Sequence, residues 1–332
     1  MTFLVSYFIN LISNVNFNFT GELFMKICSL LPSATEMVCA LGLSDSLVGI
    51  SHACDYPESI PNAVVVTETM SNMRNNSSLG IDSLIKANRF NNRPTQMVNA
   101  DLLKQIQPDI IITQDLCYVC AVEYGSVCEV TSDVLGYEPN ILSFRPASVA
   151  DIFKNIMTVA EACKIENEGK ELVTSLSNRI DYIVDNLAVK YKEPTPTTFC
   201  IDWLDPLRNT GQWIPELIEL AGGIEGLAEK HGKSREVSWG EVINYDPGYI
   251  FSMPCAFTMD RVKVDTVEVF SKVKDFESLQ AFQNHNIYLF DGQLPSRHGP
   301  RIIDVLEGFA EILHPELFQG LSPSSLYEPC FF

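Results

Sequence analysis

Apolar positions over the first 145 residues gather into short β-branched runs separated by segments of helical period. Residues 26–30 (KICSL) read as a buried strand that passes directly into a helix, and 47–50 as the next strand. Ser33 and Glu36 have the S-x-x-E spacing of a capping box at that helix start, and Gly42 is the expected stop. The second strand ends in a loop, 51–57, that holds His52, Cys54, Asp55 and Tyr56. Further runs at 63–66, 109–113 and 140–144 read as strands. Between them lie a polar, Asn- and Arg-rich stretch over 71–98 and a short helix at 100–106. This alternation predicts a mostly parallel sheet flanked by helices. The carboxyl ends of such strands form an edge where ligands bind, and the helix starting near Ser33 aims its free N–H groups at the same edge.

From 147 to about 192 the period is almost entirely helical, with a break at 164–168. Leu172, Leu176, Ile180, Ile183 and Leu187 keep one face. Its second part, roughly 25 residues, spans about 37 Å, the reach of a strut between two lobes. EPTPT at 193–197 ends it, and a second α/β set follows. Strands are predicted at 198–203, 249–253 and 287–290, and helices begin near Ile214, Trp239, Thr266 and Gly299. The expected architecture is therefore α/β. An extension at 1–24 precedes a first lobe at 25–147, a connecting helix at 148–192, a second lobe at 193–320 and a tail at 321–332. Each lobe is a mostly parallel sheet flanked by helices, and one long backbone helix joins them. A single helix resists large bending, so modest closure is expected.

Composition sets limits on partners. The 332 residues are 46% hydrophobic, enough for one large or two medium cores. A net charge of −19 argues against a nucleic-acid partner, which requires clustered Lys and Arg. Residues 1–24 contain no Lys or Arg and lack a basic start, an uninterrupted apolar stretch and a clear cleavage site. Met25 stands just before the first strand, and translation starting there is the favoured reading. Of the ten cysteines, Cys28, Cys39, Cys163 and Cys200 lie in apolar runs and read as small core residues, and Cys330 lies in the tail.

Six segments in consistent order, KICSLLPSATEMVCALGL with SHACDYP, TQDLCYVCAV, WLDPLRNTGQWIPELIELAGG, VSWGEVINYDPGYIFSMPCAF and SRHGPR, carry a family resemblance over about residues 25–320. The chain resembles the cobalamin and iron-complex substrate-binding proteins of ABC importers, in particular a cobalamin-binding branch with the TQ-x-x-C-x-V-C-A-V pattern. The resemblance implies the helical-backbone type of periplasmic-binding-protein fold, in a monomer, with a corrinoid-sized ligand between the lobes and no resident cofactor. It further implies that Tyr56 and Trp203 line the ligand site, with Trp239 near another aromatic position and Gln114 of the TQ motif as a further ligand-binding residue. Arg297, His298 and Arg301 fall in a polar ligand loop. These aromatics also suit hydrophobic lids or core, Trp213 most of all. Arg301 alternatively pairs with Asp304 on its own helix, and His298 is either an axial cobalt ligand or a solvated loop residue. A wide apolar plate edged with amides fits aromatic faces plus a few polar anchors.

Cys117 and Cys120 form C-x-x-C after a strand, and Cys54 and Cys255 also follow strands. Such thiols serve packing, a metal site or dithiol chemistry. By resemblance, Asp101 and Glu241 are candidate docking acids for an importer permease. The cysteines and the lack of a clear signal point to the cytoplasm, whereas the resemblance points outside it. No phosphate-binding, dinucleotide, zincin or nucleophile-elbow motif occurs, so a non-catalytic binding protein is expected. The ligand reading is a corrinoid. A haem or siderophore complex is the alternative, and a cytosolic metal- or redox-handling protein using Cys117 and Cys120 is a third.

Overall fold

The computed structural model describes residues 25–69, 76–91, 95–115, 124–190 and 194–331. The extension at 1–24, together with Cys117 and Cys120, falls outside them. The first lobe contains β1 (Ile27–Ser29), β2 (Leu47–Ile50), β3 (Val64–Val65), β4 (Thr67–Thr69), β5 (Gln96–Val98), β6 (Ile110–Gln114) and β7 (Asn140–Phe144). Its main sheet runs β3-β2-β1-β6-β7 with every neighbour parallel, and β4 pairs antiparallel with β5 beside it. The second lobe contains β8 (Thr197–Leu204), β9 (Leu207–Asn209), β10 (Ile224–Glu225), β11 (Tyr249–Ser252), β12 (Ile287–Phe290) and β13 (Tyr327–Pro329). Its order is β10-β8-β11-β12-β13, with β9 folding back on β8. The predicted two-lobed α/β architecture is present.

The four-strand units β2-β1-β6-β7 and β10-β8-β11-β12 share order and direction, so the lobes are variants of one design. The match extends to turn chemistry. Asn99 caps the helix Ala100–Ile106 and Ser238 caps Trp239–Tyr245. Each helix ends on a left-handed residue, Gln107 and Asp246, both at φ 48°. Pro108 and Pro247 then stop the helix and hand the chain to a buried strand.

The connection differs from a single strut. Val149–Ala162 starts on a capping box between Ser148 and Asp151. It breaks at Lys164, where φ is 59°, and returns as Glu166–Lys190. The two helices approach so closely at Gly169 that a Cβ there would lie 2.6 Å from that of Ala160. The second helix is tied to the helix Ile302–Leu313 by Arg179, which donates to Glu307 at 2.7 and 2.6 Å and to Asp304 at 2.6 Å. Asp304 is thus taken by Arg179, and the sequence expectation of an Arg301–Asp304 pair is corrected. Buried residues of both lobes and both connecting helices, from Ile27 and Ile112 through Ile156 and Ile183 to Phe251 and Phe309, form one continuous cluster. Wide opening would expose it to water.

Three further expectations change. The 321–332 tail is part of the second lobe, because β13 pairs antiparallel with β12 and Cys330 is buried in that lobe's core. The helix placed near Thr266 begins earlier, at Met259. The polar stretch 71–98 contains the helix Ser78–Phe90, capped by Ser77. Only Ser78 and Ile81 of that helix are buried, so its apolar signal is thin. Ile81 and the partly buried Ile85 belong to a cluster with Leu207, Val237 and Phe257 of the second lobe. A tertiary partner, and not local period, holds it.

Candidate functional site

The carboxyl ends of the two sheets meet. Pro32 occupies the first helical position after β1, with Leu31 as N-cap and no side-chain cap. The expected Ser33–Glu36 capping box is therefore absent, and Glu36 is turned to another use. Its carboxylate, with the side chain only 2% exposed, receives Arg301 Nε at 3.1 Å, Arg301 Nη2 at 2.6 Å and Arg297 Nη1 at 3.2 Å. Arg297 also grips Asp55 with two bonds of 2.6 and 2.8 Å. The Arg301 guanidinium lies 3.7 Å over the ring of Tyr56, which remains 46% exposed. Thus two arginines of the loop after β12 reach the helix after β1 and the loop after β2.

His298 completes this junction. Its Nε2 lies 3.0 Å from Gln114 Oε1 and 3.5 Å from Ser33 Oγ, and its ring meets Trp213 edge-on at 5.9 Å. Trp213 is buried and donates its indole N–H to Pro295 O at 3.0 Å, which fits its expected core role and fixes the loop from beneath. His298 is therefore neither the solvated loop residue nor, in this arrangement, a side chain open to a ligand. Burial pushes its imidazole down to about 4. A depressed imidazole contributes stability that is present above the unfolded value of 6.5 and lost as pH falls towards 4. That window corresponds to about 3 kcal/mol. Urea unfolding at pH 7 and pH 4.5 should show a smaller acid loss for His298→Gln than for the natural chain. Equal losses would contradict the assignment.

The other aromatics separate. Trp203 is half-buried near the end of β8, edge-on to Phe257 at 5.2 Å, with its indole N–H donating to Asp205 O. Arg261 lies 3.7 Å over Phe257 and donates to the carbonyl of Asn76, so the first lobe reaches this neighbourhood as well. Trp239 instead packs edge-on to Phe270 and Phe276. It lines a recess of about 670 Å³ with Leu207, Val269 and Lys272, built from second-lobe residues alone.

Cys54 and Cys255 sit on loops of different lobes. Cys54 Sγ lies 3.0 Å from Thr35 Oγ1, and burial pushes the thiol up to about 11, so it stays protonated at neutral pH. Cys255 follows β11 with its N–H on Asp202 O at 2.9 Å. No group of three or more His, Cys, Asp or Glu side chains is placed to hold a metal among the described residues. Of the docking candidates, Asp101 is exposed in the first turn of its helix. Glu241 closes the Ser238 capping box and pairs with Arg235 at 3.0 Å.

Gly292 holds the second-lobe rim together. Its N–H donates to Phe257 O at 2.9 Å and its carbonyl accepts from Ala256 at 3.2 Å, joining the loops after β11 and β12. A Cβ on Gly292 would sit 1.9 Å from Pro254 O, so the backbones must part to admit one. Gly292→Ala is expected to lose about 2–3 kcal/mol, read as a lowered denaturant midpoint. An unchanged midpoint would contradict this packing.

The partners of the arginines are not legible in the sequence: Glu36 has the spacing of a capping motif, and no local pattern gives Asp55 a role. Two acids on the first lobe, set against two arginines in one second-lobe loop, were the signal available.

A profile described as periplasmic binding protein matches residues 27–294. The chain is 25% identical over 89% of its length to an uncharacterized ABC transporter substrate-binding lipoprotein, YvrC, of Bacillus subtilis, covering 81% of that protein. It is 21% identical over 85% of its length to the vitamin B12-binding protein of Vibrio cholerae, covering 86% of it. A possible iron-binding, periplasmic solute-binding protein from Staphylococcus epidermidis superposes with a TM-score of 0.66 at 20% identity. That superposition covers 87% of this chain and 98% of the other, and shows a shared fold. With the matched profile running from β1 to the loop after β12, the chain belongs to the periplasmic binding protein family, the solute-binding proteins of ABC-type transport.

Proposed function

We infer that this chain captures a corrinoid, cobalamin in the first instance, between its two lobes and delivers it to an ABC-type permease. The observation that carries the reading is the pair of aromatic faces on opposing strand-end edges. Tyr56, half exposed, stands on the first lobe, and the half-buried Trp203 on the second. A flat, largely apolar macrocycle buries area against such faces while a few polar groups orient it. Likeness to a vitamin B12-binding protein over most of both chains supports the same ligand class. The reading requires no reaction and no resident cofactor, since the corrinoid is cargo. Asp101 and Glu241, one residue out of step in equivalent helices, are the acids proposed to meet the permease.

An iron chelate is the second reading, favoured by the likeness to a possible iron-binding protein. Calorimetric titration of the full chain with cyanocobalamin, haem and a ferric siderophore separates the two. The corrinoid reading expects one cobalamin per chain with a dissociation constant of about a micromolar or below. Heat from an iron complex and none from cobalamin would replace it with the second reading.

A further inference from the structure

The arginines at the junction are already spoken for. Arg297 is 10% exposed and is held between Glu36 and Asp55, while Arg301 gives its edge to Glu36 and its face to Tyr56. Two guanidinium groups thus meet two carboxylates, and the charges cancel. Other arginines among the described residues are paired as well. Arg145 faces Asp115 at 3.8 Å, Arg208 faces Glu236 at 3.5 Å and Arg261 faces Asp265 at 3.2 Å. The chain as a whole carries −19. An anionic ligand therefore approaches a negative protein and finds these cations engaged.

Among the four charged groups of the junction, Asp55 is the exchangeable one. Glu36 is enclosed by both arginines, whereas the Asp55 side chain is 42% exposed and lies in the 51–57 loop. That loop is held by Cys54 N–H on Ser51 O and by His52 N–H on Thr67 Oγ1, so Asp55 is presented to Arg297 by a fixed backbone.

We propose that Asp55 is a specificity residue: by occupying Arg297 it makes the site electroneutral, and so selects amide-edged corrinoids against chelates that carry carboxylates. A corrin edge bears carboxamides, which need hydrogen-bond partners and no counter-charge. Haem carries two carboxylates at its edge, and these would have to displace Asp55 and then lie beside it. Selection against the wrong ligand here works by an unfavourable charge as much as by contacts to the right one. This inference rests on the corrinoid reading for the identity of the favoured ligand, but the Asp55 effect on anions can be measured without it.

The test is equilibrium binding of cyanocobalamin and of haem to the full chain and to Asp55→Asn and Asp55→Ser, at low salt and at 0.5 M salt. The natural chain should prefer cobalamin. Both variants should bind haem about tenfold tighter than the natural chain does, because Arg297 gains a free face for a carboxylate. That gain should shrink at high salt, and the preference for cobalamin over haem should fall by about tenfold at low salt. Haem affinity unchanged in both variants, or a gain insensitive to salt, would overturn the role of Asp55. A natural chain that binds no cobalamin, combined with the haem gain in the variants, would sink the corrinoid reading and leave the Asp55 effect standing.

Discussion

Replacing Glu36 by Ala should destabilise the protein by about 3–5 kcal/mol, the range for breaking a buried ion pair by removing one partner. The carboxylate receives three hydrogen bonds from two arginines, and its side chain is almost wholly enclosed. The cost comes less from the attraction itself than from what remains. Arg297 and Arg301 would keep their charge at a junction closed to most water, and Asp55 can serve only Arg297. Glu36→Gln keeps the volume and one acceptor but removes the charge, so its loss should be smaller, though of the same sign. Equilibrium urea unfolding measures both. A loss below about 1 kcal/mol for Glu36→Ala would show that the junction opens easily to solvent, as exposed pairs do.

Tyr56→Ala is expected to leave stability nearly unchanged and to weaken cobalamin binding about thirtyfold. The ring is 46% exposed, so little of the fold depends on it. Its one described partner is the Arg301 guanidinium on its face. An aromatic of this size at the centre of a binding surface typically contributes about 2 kcal/mol when truncated. Tyr56→Phe keeps the face and should bind within a few-fold of the natural chain. Tyr182, slightly more exposed and on the connecting helix, provides a control, since Tyr182→Ala should not change binding. Equal affinities for Tyr56→Ala and the natural chain would remove Tyr56 from the ligand site.

The sequence shows the strands and most helices because buried parallel strands carry unbroken apolar runs, such as Ile110 to Ile112, that local pattern reads directly. What it hides has a common cause: groups whose partners are distant in the chain. Glu36 has the spacing of a cap, but Pro32 starts the helix first and leaves the carboxylate free to meet residues 297 and 301. The helix Ser78–Phe90 has few apolar positions because its buried face is narrow and lies against the second lobe. The tail looks structureless until β12 offers it an edge. Tyr56 and the arginine loop were legible as candidates through family resemblance. Their mutual contact was not, since no local pattern records which loops two lobes bring together. Cys117 and Cys120 remain a sequence-level observation, outside the described residues.

A ligand held between the lobes should touch both of them at their strand ends. Hydrogen exchange of the full chain, read by mass spectrometry with and without saturating cobalamin, tests it most directly. Slowed exchange is expected in two separate stretches, residues 51–57 of the first lobe and residues 203–210 with 254–258 of the second. The recess beside Trp239 and the helix Glu166–Lys190 should show little change. Protection confined to one lobe, protection centred on Trp239, or none at all would contradict it.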